Sequence, residues 1–277
     1  MTRLDLSTAV AVVTGAASGI GRATSLSLAR RGSALALVDR DAAGLAEIAT
    51  EADALGATVS THELDVADAE AVGALPEAVL KAHGRVTVLV NNAGVALAGS
   101  FEELSMDDIR WLFEVNVFGL IGLTKAFLPH LQAADEAQIV NLSSLFGLIA
   151  PAEQTAYAAS KFAVRGFSES LRHELEGTGL GVTVVHPGGV ATNIAKRARI
   201  GAGADSAFAS HQQATFDRVF LRTPPERVGE AIADAIEKRQ PRLLIATGAR
   251  AGAWLTRLMP VRYWRLLRRG FTAVGGR

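Results

Sequence analysis

Cysteine is absent from the 277 residues, which excludes disulfides, thiolate metal ligands and a cysteine nucleophile. Net charge is absent too: 28 Lys and Arg balance 28 Asp and Glu, so there is no global reason to expect a nucleic-acid partner. The start, Met1-Thr2-Arg3-Leu4-Asp5-Leu6, lacks the apolar run of a signal peptide, and no later stretch offers ~18 uncharged apolar residues for a membrane span, so a cytoplasmic protein is expected. Histidine is scarce, and the six, at 62, 83, 130, 173, 186 and 211, show no metal-ligand spacing; no metal is expected. What is present is a hydrophobic fraction of 49% with 20% charged residues. That is a globular composition, and the length suits one large α/β domain.

The zero balance conceals an asymmetry. Residues 241–277 carry eight arginines and no acid, leaving the first 240 residues at −8. The chain is therefore expected to divide into a main domain over 1–250 and a basic C-terminal extension over 251–277.

The apolar run Val10–Val13 ends at Thr14-Gly15-Ala16-Ala17-Ser18-Gly19-Ile20-Gly21, after which a helical pattern begins. A glycine turn feeding a helix N-terminus offers backbone N–H groups and a favourable dipole to a pyrophosphate. The spacing G-x-x-x-G-x-G departs from the usual G-x-G-x-x-G fingerprint. A second apolar run, Ala34–Val38, ends at Asp39, 18 residues after Gly21. That distance suits a carboxylate bonding the adenosine ribose, and its charge repels a 2′-phosphate, so Asp39 favours NAD. Arg40, directly after it, could instead receive that phosphate, which leaves NADP as the alternative.

The alternation continues with helices near 41–55 and 68–83 and strands near 57–63 and 86–90. It predicts a doubly wound parallel sheet of Rossmann type, with ligands at the carboxyl ends of the strands. Asp65, Val66 and Asn91-Asn92-Ala93-Gly94 fall at those ends, Asn91 reading as a tie between strand ends. A long amphipathic helix near 105–132 is interrupted by Asn116, whose amide must either cap a distortion or hold a water. The strand 138–142 delivers Ser143 and Ser144, a helix carries Tyr157 and Lys161 one turn apart, and the strand 181–186 stops at Pro187-Gly188. An ammonium beside a phenol favours the phenolate and poises it for proton transfer.

Taken in order, Thr14-Gly15-x-x-x-Gly19-Ile20-Gly21, Asp65, Asn91-Asn92-Ala93-Gly94, Asn116, Ser144, Tyr157-x-x-x-Lys161 and Pro187-Gly188-x-x-x-Thr192 make the chain resemble a short-chain dehydrogenase/reductase of the single-domain kind. The resemblance covers residues 8 to about 192. It implies an NAD(P)-dependent oxidoreductase moving a hydride between nicotinamide and a secondary alcohol or ketone, assembled as a homodimer or homotetramer. Tyr157 would be the general acid or base, Ser144 would bond the substrate oxygen, and Lys161 would bond the nicotinamide ribose and, with the positively charged ring, lower the Tyr157 pKa. Asn116 would hold a relay water. Around the cofactor the resemblance places Gly15, Ser18, Gly19, Ile20, Gly21, Asp39, Arg40, Asp65, Val66, Asn92, Ala93, Gly94, Pro187, Gly188, Val190 and Thr192. The alternatives are an NADP-dependent ketoreductase of the same family and a dinucleotide-binding regulator without turnover.

Residues 193–223 correspond to a substrate lid in that family. Its apolar residues, Ile194, Ile200, Phe208, Phe216, Val219, Phe220 and Leu221, suggest a hydrophobic substrate, with Gln154 and Ile194 as candidate pocket residues. Lys196, Arg197 and Arg199 could receive an acidic tail or simply face solvent. The extension mixes Trp254, Leu255, Leu258, Met259, Val261, Tyr263, Trp264, Leu266 and Leu267 with its arginines. Such a stretch can pack on the lid or a neighbouring subunit, its arginines meeting the −8 body, or lie on an anionic membrane.

Overall fold

The computed structural model describes residues 3–192, 194, 197–204 and 222–272, with side chains given to residue 268. Lys196, Phe208, Phe216, Val219, Phe220 and Leu221 of the expected lid lie outside the described residues.

Seven parallel strands form the sheet, in the order β3-β2-β1-β4-β6-β7-β9: β1 (Val10–Thr14), β2 (Ala34–Asp39), β3 (Val59–Glu63), β4 (Val88–Asn91), β6 (Ala137–Leu142), β7 (Leu180–Pro187) and β9 (Arg242–Ile245). The reversal of direction beside β1 makes β1 and β4 the switch point, where the crevice of such a sheet opens. Side chains alternate across the sheet with period two. Ala11, Val13, Leu35, Leu37, Val88 and Val90 enter one core, while Val12, Ala36, Val38 and Leu89 enter the other. Burial on both faces is why these strands read as continuous apolar runs.

The first core is covered by α1 (Gly19–Arg30), α2 (Ala42–Asp53) and α7 (Pro225–Glu237). Helices α1 and α7 approach so closely that a Cβ on Gly229 would lie 2.5 Å from the Ala23 carbonyl carbon. Arg31 fastens the pair through Glu230, Asp234 and Glu237 at 2.9, 2.8 and 3.2 Å. The second core is covered by α3 (Ala69–His83), α5 (Leu120–Gln132) and α6 (Thr155–Glu174).

The expected helix over 105–132 is continuous but not uniform. It runs as α4 (Met106–Phe113), a π turn over Glu114–Gly119 that contains Asn116, and then α5. By length and composition Met106–Gln132 would suffice to cross a membrane. Here Val115, Leu123, Phe127 and Leu131 are instead buried in the second core.

Two features have no counterpart in the apolar pattern. A short parallel ribbon joins β5 (Leu97–Ala98) to β8 (Arg199–Ile200), bringing the start of the segment expected to form a lid back to α4. There Asp108, in a capping box with Ser105, accepts from the Ala202 N–H at 3.2 Å and lies 3.7 Å from Arg199. The Arg199 guanidinium also covers the Trp111 ring at 3.9 Å. Arg199, expected either to receive an acidic tail or to face solvent, is instead held by Asp108 and Trp111. The extension folds as α8 (Ala249–Leu258) and α9 (Tyr263–Thr272).

Candidate active site

The glycine turn between β1 and α1 is a close-packed backbone loop. Gly15 and Gly19 adopt φ of +65° and +55°, and a Cβ on Gly21 would fall 2.0 Å from the Gly15 carbonyl oxygen. Ser18 occupies the N-cap of α1 but makes no side-chain capping bond, so the first N–H groups of the helix remain for an anion. Ile20, one residue in, packs against the first core. Asp39, at the end of β2, accepts from the Ala17 N–H at 3.0 Å and the Asp41 N–H at 3.1 Å. The carboxylate read as a ribose contact therefore also shapes the turn. Arg40 leans toward Asp65, 3.8 Å away, with both side chains largely exposed.

Asn92 donates to the Thr14 and Gly15 carbonyls at 2.9 and 3.2 Å, and the Ala93 N–H donates to Thr14 Oγ1 at 3.0 Å. The turn and the end of β4 are thereby one unit. Asn91 ties strand ends as expected, donating to Asn141 Oδ1 at 2.9 Å. Val66 is buried, and its carbonyl abuts Gly119 in the π turn. On the far side, a Cβ on Gly19 would meet Thr192 Cγ2 at 3.1 Å, so the turn also faces the segment after β7. Gly188, after Pro187, approaches the Thr247 carbonyl too closely for any side chain, and Val190 is buried where it bridges to Thr223. These crowded glycines, the uncapped helix start and the Asp39 carboxylate fit a dinucleotide laid along the strand ends.

The reactive groups lie next to this cradle. Asn116 accepts from the Val95 N–H at 2.8 Å and donates to the Val95 carbonyl at 3.0 Å and to Ser160 Oγ at 3.3 Å. The π turn gives this buried amide its partners, and such turns interrupt the helical ladder most often at functional sites. Gly94 fits between groups: a Cβ there would lie 3.1 Å from Asn116 Oδ1 and 3.5 Å from Lys161 Nζ. Lys161 is buried, donates to the Leu142 carbonyl at 3.1 Å, and stands 5.8 Å from the Tyr157 ring centre. Removal from water pushes its pKa down to about 8.

The expectation that Lys161 and the positively charged nicotinamide ring together lower the Tyr157 pKa concerns the cofactor-bound enzyme. In the chain by itself, burial pushes the phenol up to about 12, and a side-chain hydrogen bond with Ser144 opposes this only in part. The desolvation that favours the neutral phenol also weakens Lys161 as a base, although a pKa of about 8 still leaves it mostly protonated at neutral pH.

Ser144 starts a 3-10 turn over Leu145–Gly147 and its Oγ accepts from the Phe146 N–H at 3.1 Å. Its carbonyl accepts from His186 Nδ1 at 3.0 Å. His186 is fully buried and its pKa is pushed down to about 4, chiefly by burial. It is thus a neutral packing residue that also holds the Ser144 backbone. That contact joins residues 42 positions apart, and no local pattern announces it.

Tyr157 sits where two small apolar clusters meet. Leu97, Leu112 and Ala156 with Trp111 lie on one side, and Phe146, Ile149 and Ala158 with Tyr263 and Leu267 on the other. The last two belong to the extension, and the Tyr263 hydroxyl accepts from the Ala150 N–H at 2.9 Å. Of the two pocket candidates, Gln154 is half-buried at the N-cap of α6, without a side-chain capping bond, and Ile194 is 36% exposed.

The model of the short chain dehydrogenase family matches residues 9–202. This chain belongs to the short-chain dehydrogenase/reductase family. It is 44% identical over 264 residues to SadH of Mycobacterium tuberculosis, named as a provisional oxidoreductase, with 94% of each chain covered. It is 34% identical to the dehydrogenase/reductase SDR family member 7B of Bos taurus, covering 94% of this chain and 80% of that one. Among solved structures, a Burkholderia phymatum short-chain dehydrogenase/reductase in complex with NAD superposes with a TM-score of 0.84 at 33% identity, covering 92% and 95% of the two chains. A Burkholderia cenocepacia short-chain dehydrogenase in complex with NADP gives 0.76 at 31%, covering 89% and 100%. The chain is accordingly an oxidoreductase of this family, and the doubly wound sheet is the fold its relatives share.

Proposed function

We propose that this oxidoreductase uses NAD(P), with NAD preferred, to interconvert an apolar secondary alcohol and its ketone. The observation that carries the reading is the cluster of Ser144, Tyr157 and Lys161 beside Gly94 and Asn116, adjoining a glycine turn fit for a dinucleotide. When bound, the nicotinamide supplies or accepts the hydride. Ser144 and Tyr157 hold the substrate oxygen between their hydroxyls. A phenol with a pKa near 12 is protonated at neutral pH, which is the form that donates a proton as a carbonyl is reduced. In the oxidising direction the phenolate of Tyr157 would take the alcohol proton, and Lys161, which would bond the nicotinamide ribose, would supply the positive charge that favours that phenolate. Asn116 would position a water that passes the proton to solvent. The two apolar clusters around Tyr157 support a hydrophobic substrate. Residues 1–250 are read as the catalytic domain with its lid over 193–223. A cytoplasmic homodimer or homotetramer is the proposed assembly.

Tyr157→Phe tests the assignment: turnover should fall by about 10²–10⁴-fold with dinucleotide affinity retained, and undiminished turnover would sink it and favour a binding regulator. For the cofactor, titration with NADH and NADPH should show tighter NADH binding, and Asp39→Ala should narrow the ratio. The ratio is the proper readout, because loss of the Ala17 and Asp41 bonds weakens both. An unmutated protein that prefers NADPH would overturn the role given to Asp39.

A further inference from the structure

The extension carries two faces. Inward, Tyr263 and Leu267 of α9 join the cluster of Phe146 and Ile149, and Gly252 of α8 lies against Leu145. Outward, Arg250, Trp254, Arg257 and Leu258 fall at i, i+4, i+7 and i+8, which is one face of α8. Arg262, Arg265 and Leu266 continue the outward surface through α9, opposite Tyr263 and Leu267. The apolar members are unusually bare: Trp254 is 64% exposed, Leu258 74%, Val261 87% and Leu266 59%.

The arginines of this face do not meet the acidic body. Among the described residues no ion pair engages Arg250, Arg257, Arg262 or Arg265, although the body carries −8. Arg250 also sits in the first turn of α8, which holds no acid, where the helix's own dipole disfavours a cation. Arg257, in the last turn, is favoured by that dipole, but helix stability does not explain Arg250 and internal pairing explains none of the four, so an external anion is what they suit.

We infer that α8 and α9 form a docking surface for an anionic lipid bilayer. Cationic side chains interleaved with a bare tryptophan and aliphatic residues match a negatively charged headgroup layer over an apolar interior. Isologous pairing with a second copy is the poorer match, because it would bring two acid-free, arginine-rich faces together. Docking would hold the wall behind Ser144 and Tyr157 against the membrane. The inference does not depend on which alcohol is turned over.

Sedimentation of the full-length protein with vesicles of equal parts phosphatidylcholine and phosphatidylglycerol tests this, with pure phosphatidylcholine vesicles as the comparison. Binding should require phosphatidylglycerol, weaken with added salt, and drop by at least about 25-fold in Arg250→Glu/Arg257→Glu. Trp254→Ser/Leu258→Ser should weaken it independently. Far-ultraviolet circular dichroism establishes that each variant is folded, and Arg250→Gln/Arg257→Gln serves if the reversal is not. Equal binding to both vesicle types, no binding to either, or undiminished binding by folded variants would overturn the inference. So would a wild-type protein that ignores vesicles while the charge-reversed variant changes oligomeric size, since that assigns the face to a second copy.

Discussion

The buried ammonium of Lys161 makes a quantitative demand on stability. Its pKa falls from the ordinary 10.5 to about 8 because burial removes the charged form from water. The unfolded chain therefore binds this proton more tightly than the folded one, and stability must rise with pH between those values. The gap corresponds to roughly 3 kcal/mol of destabilisation at pH 7, about three-quarters of which is relieved by pH 10. Lys161→Met removes the titrating group while keeping most of its volume. Urea unfolding of the cofactor-free proteins at pH 7 and pH 10 isolates the effect, because every other titrating group is common to both. The stability of wild type relative to Lys161→Met should climb by roughly 2–3 kcal/mol from pH 7 to pH 10. At pH 7 the variant should be no less stable, or more so, although turnover is lost. A difference that stays constant across this range would refute the claim that the ammonium is desolvated. The hydrogen bond to the Leu142 carbonyl would then suffice to solvate it.

His186 makes the same demand at lower pH. With its pKa at about 4 when folded against 6.5 unfolded, its contribution is fully present above pH 6.5 and lost as pH falls toward 4. His186→Asn should flatten the acid side of the unfolding profile by about 2 kcal/mol between pH 7 and pH 5; an unchanged profile would place the instability elsewhere. Asp108→Ala removes the capping box and the anchor of residues 199–202 together. A loss of about 1–2 kcal/mol in thermal stability is expected, with a raised KM and little change in kcat. A fall confined to kcat would show that this ribbon does not position substrate.

Much of the site was legible because its requirements are local. Gly15, Gly19 and Gly21 are dictated by a turn in which a side chain collides with backbone, and Tyr157 and Lys161 by one turn of helix. Continuous apolar runs announced strands buried on both faces. Asn116 stood out as an amide in an apolar pattern, but its meaning rests on a π turn and on Val95, which no spacing displays. The His186 bond to the Ser144 carbonyl, the clamp of Arg199 between Asp108 and Trp111, and Tyr263 on Ala150 join segments dozens of residues apart. Such contacts depend on how finished elements stack.

The sequence by itself determined the alternation of strand and helix, the glycine turn and the choice of candidate reactive side chains, because each follows from a periodicity or a short-range steric rule. Only the tertiary structure decided how those side chains are charged. The balance of desolvation against hydrogen bonding leaves Tyr157 a neutral phenol and Lys161 a weakened base. The structure also decided that the basic extension turns its aromatic Tyr263 inward and Arg250, Arg257, Arg262 and Arg265 outward, with no ion pair to the acidic body among the described residues.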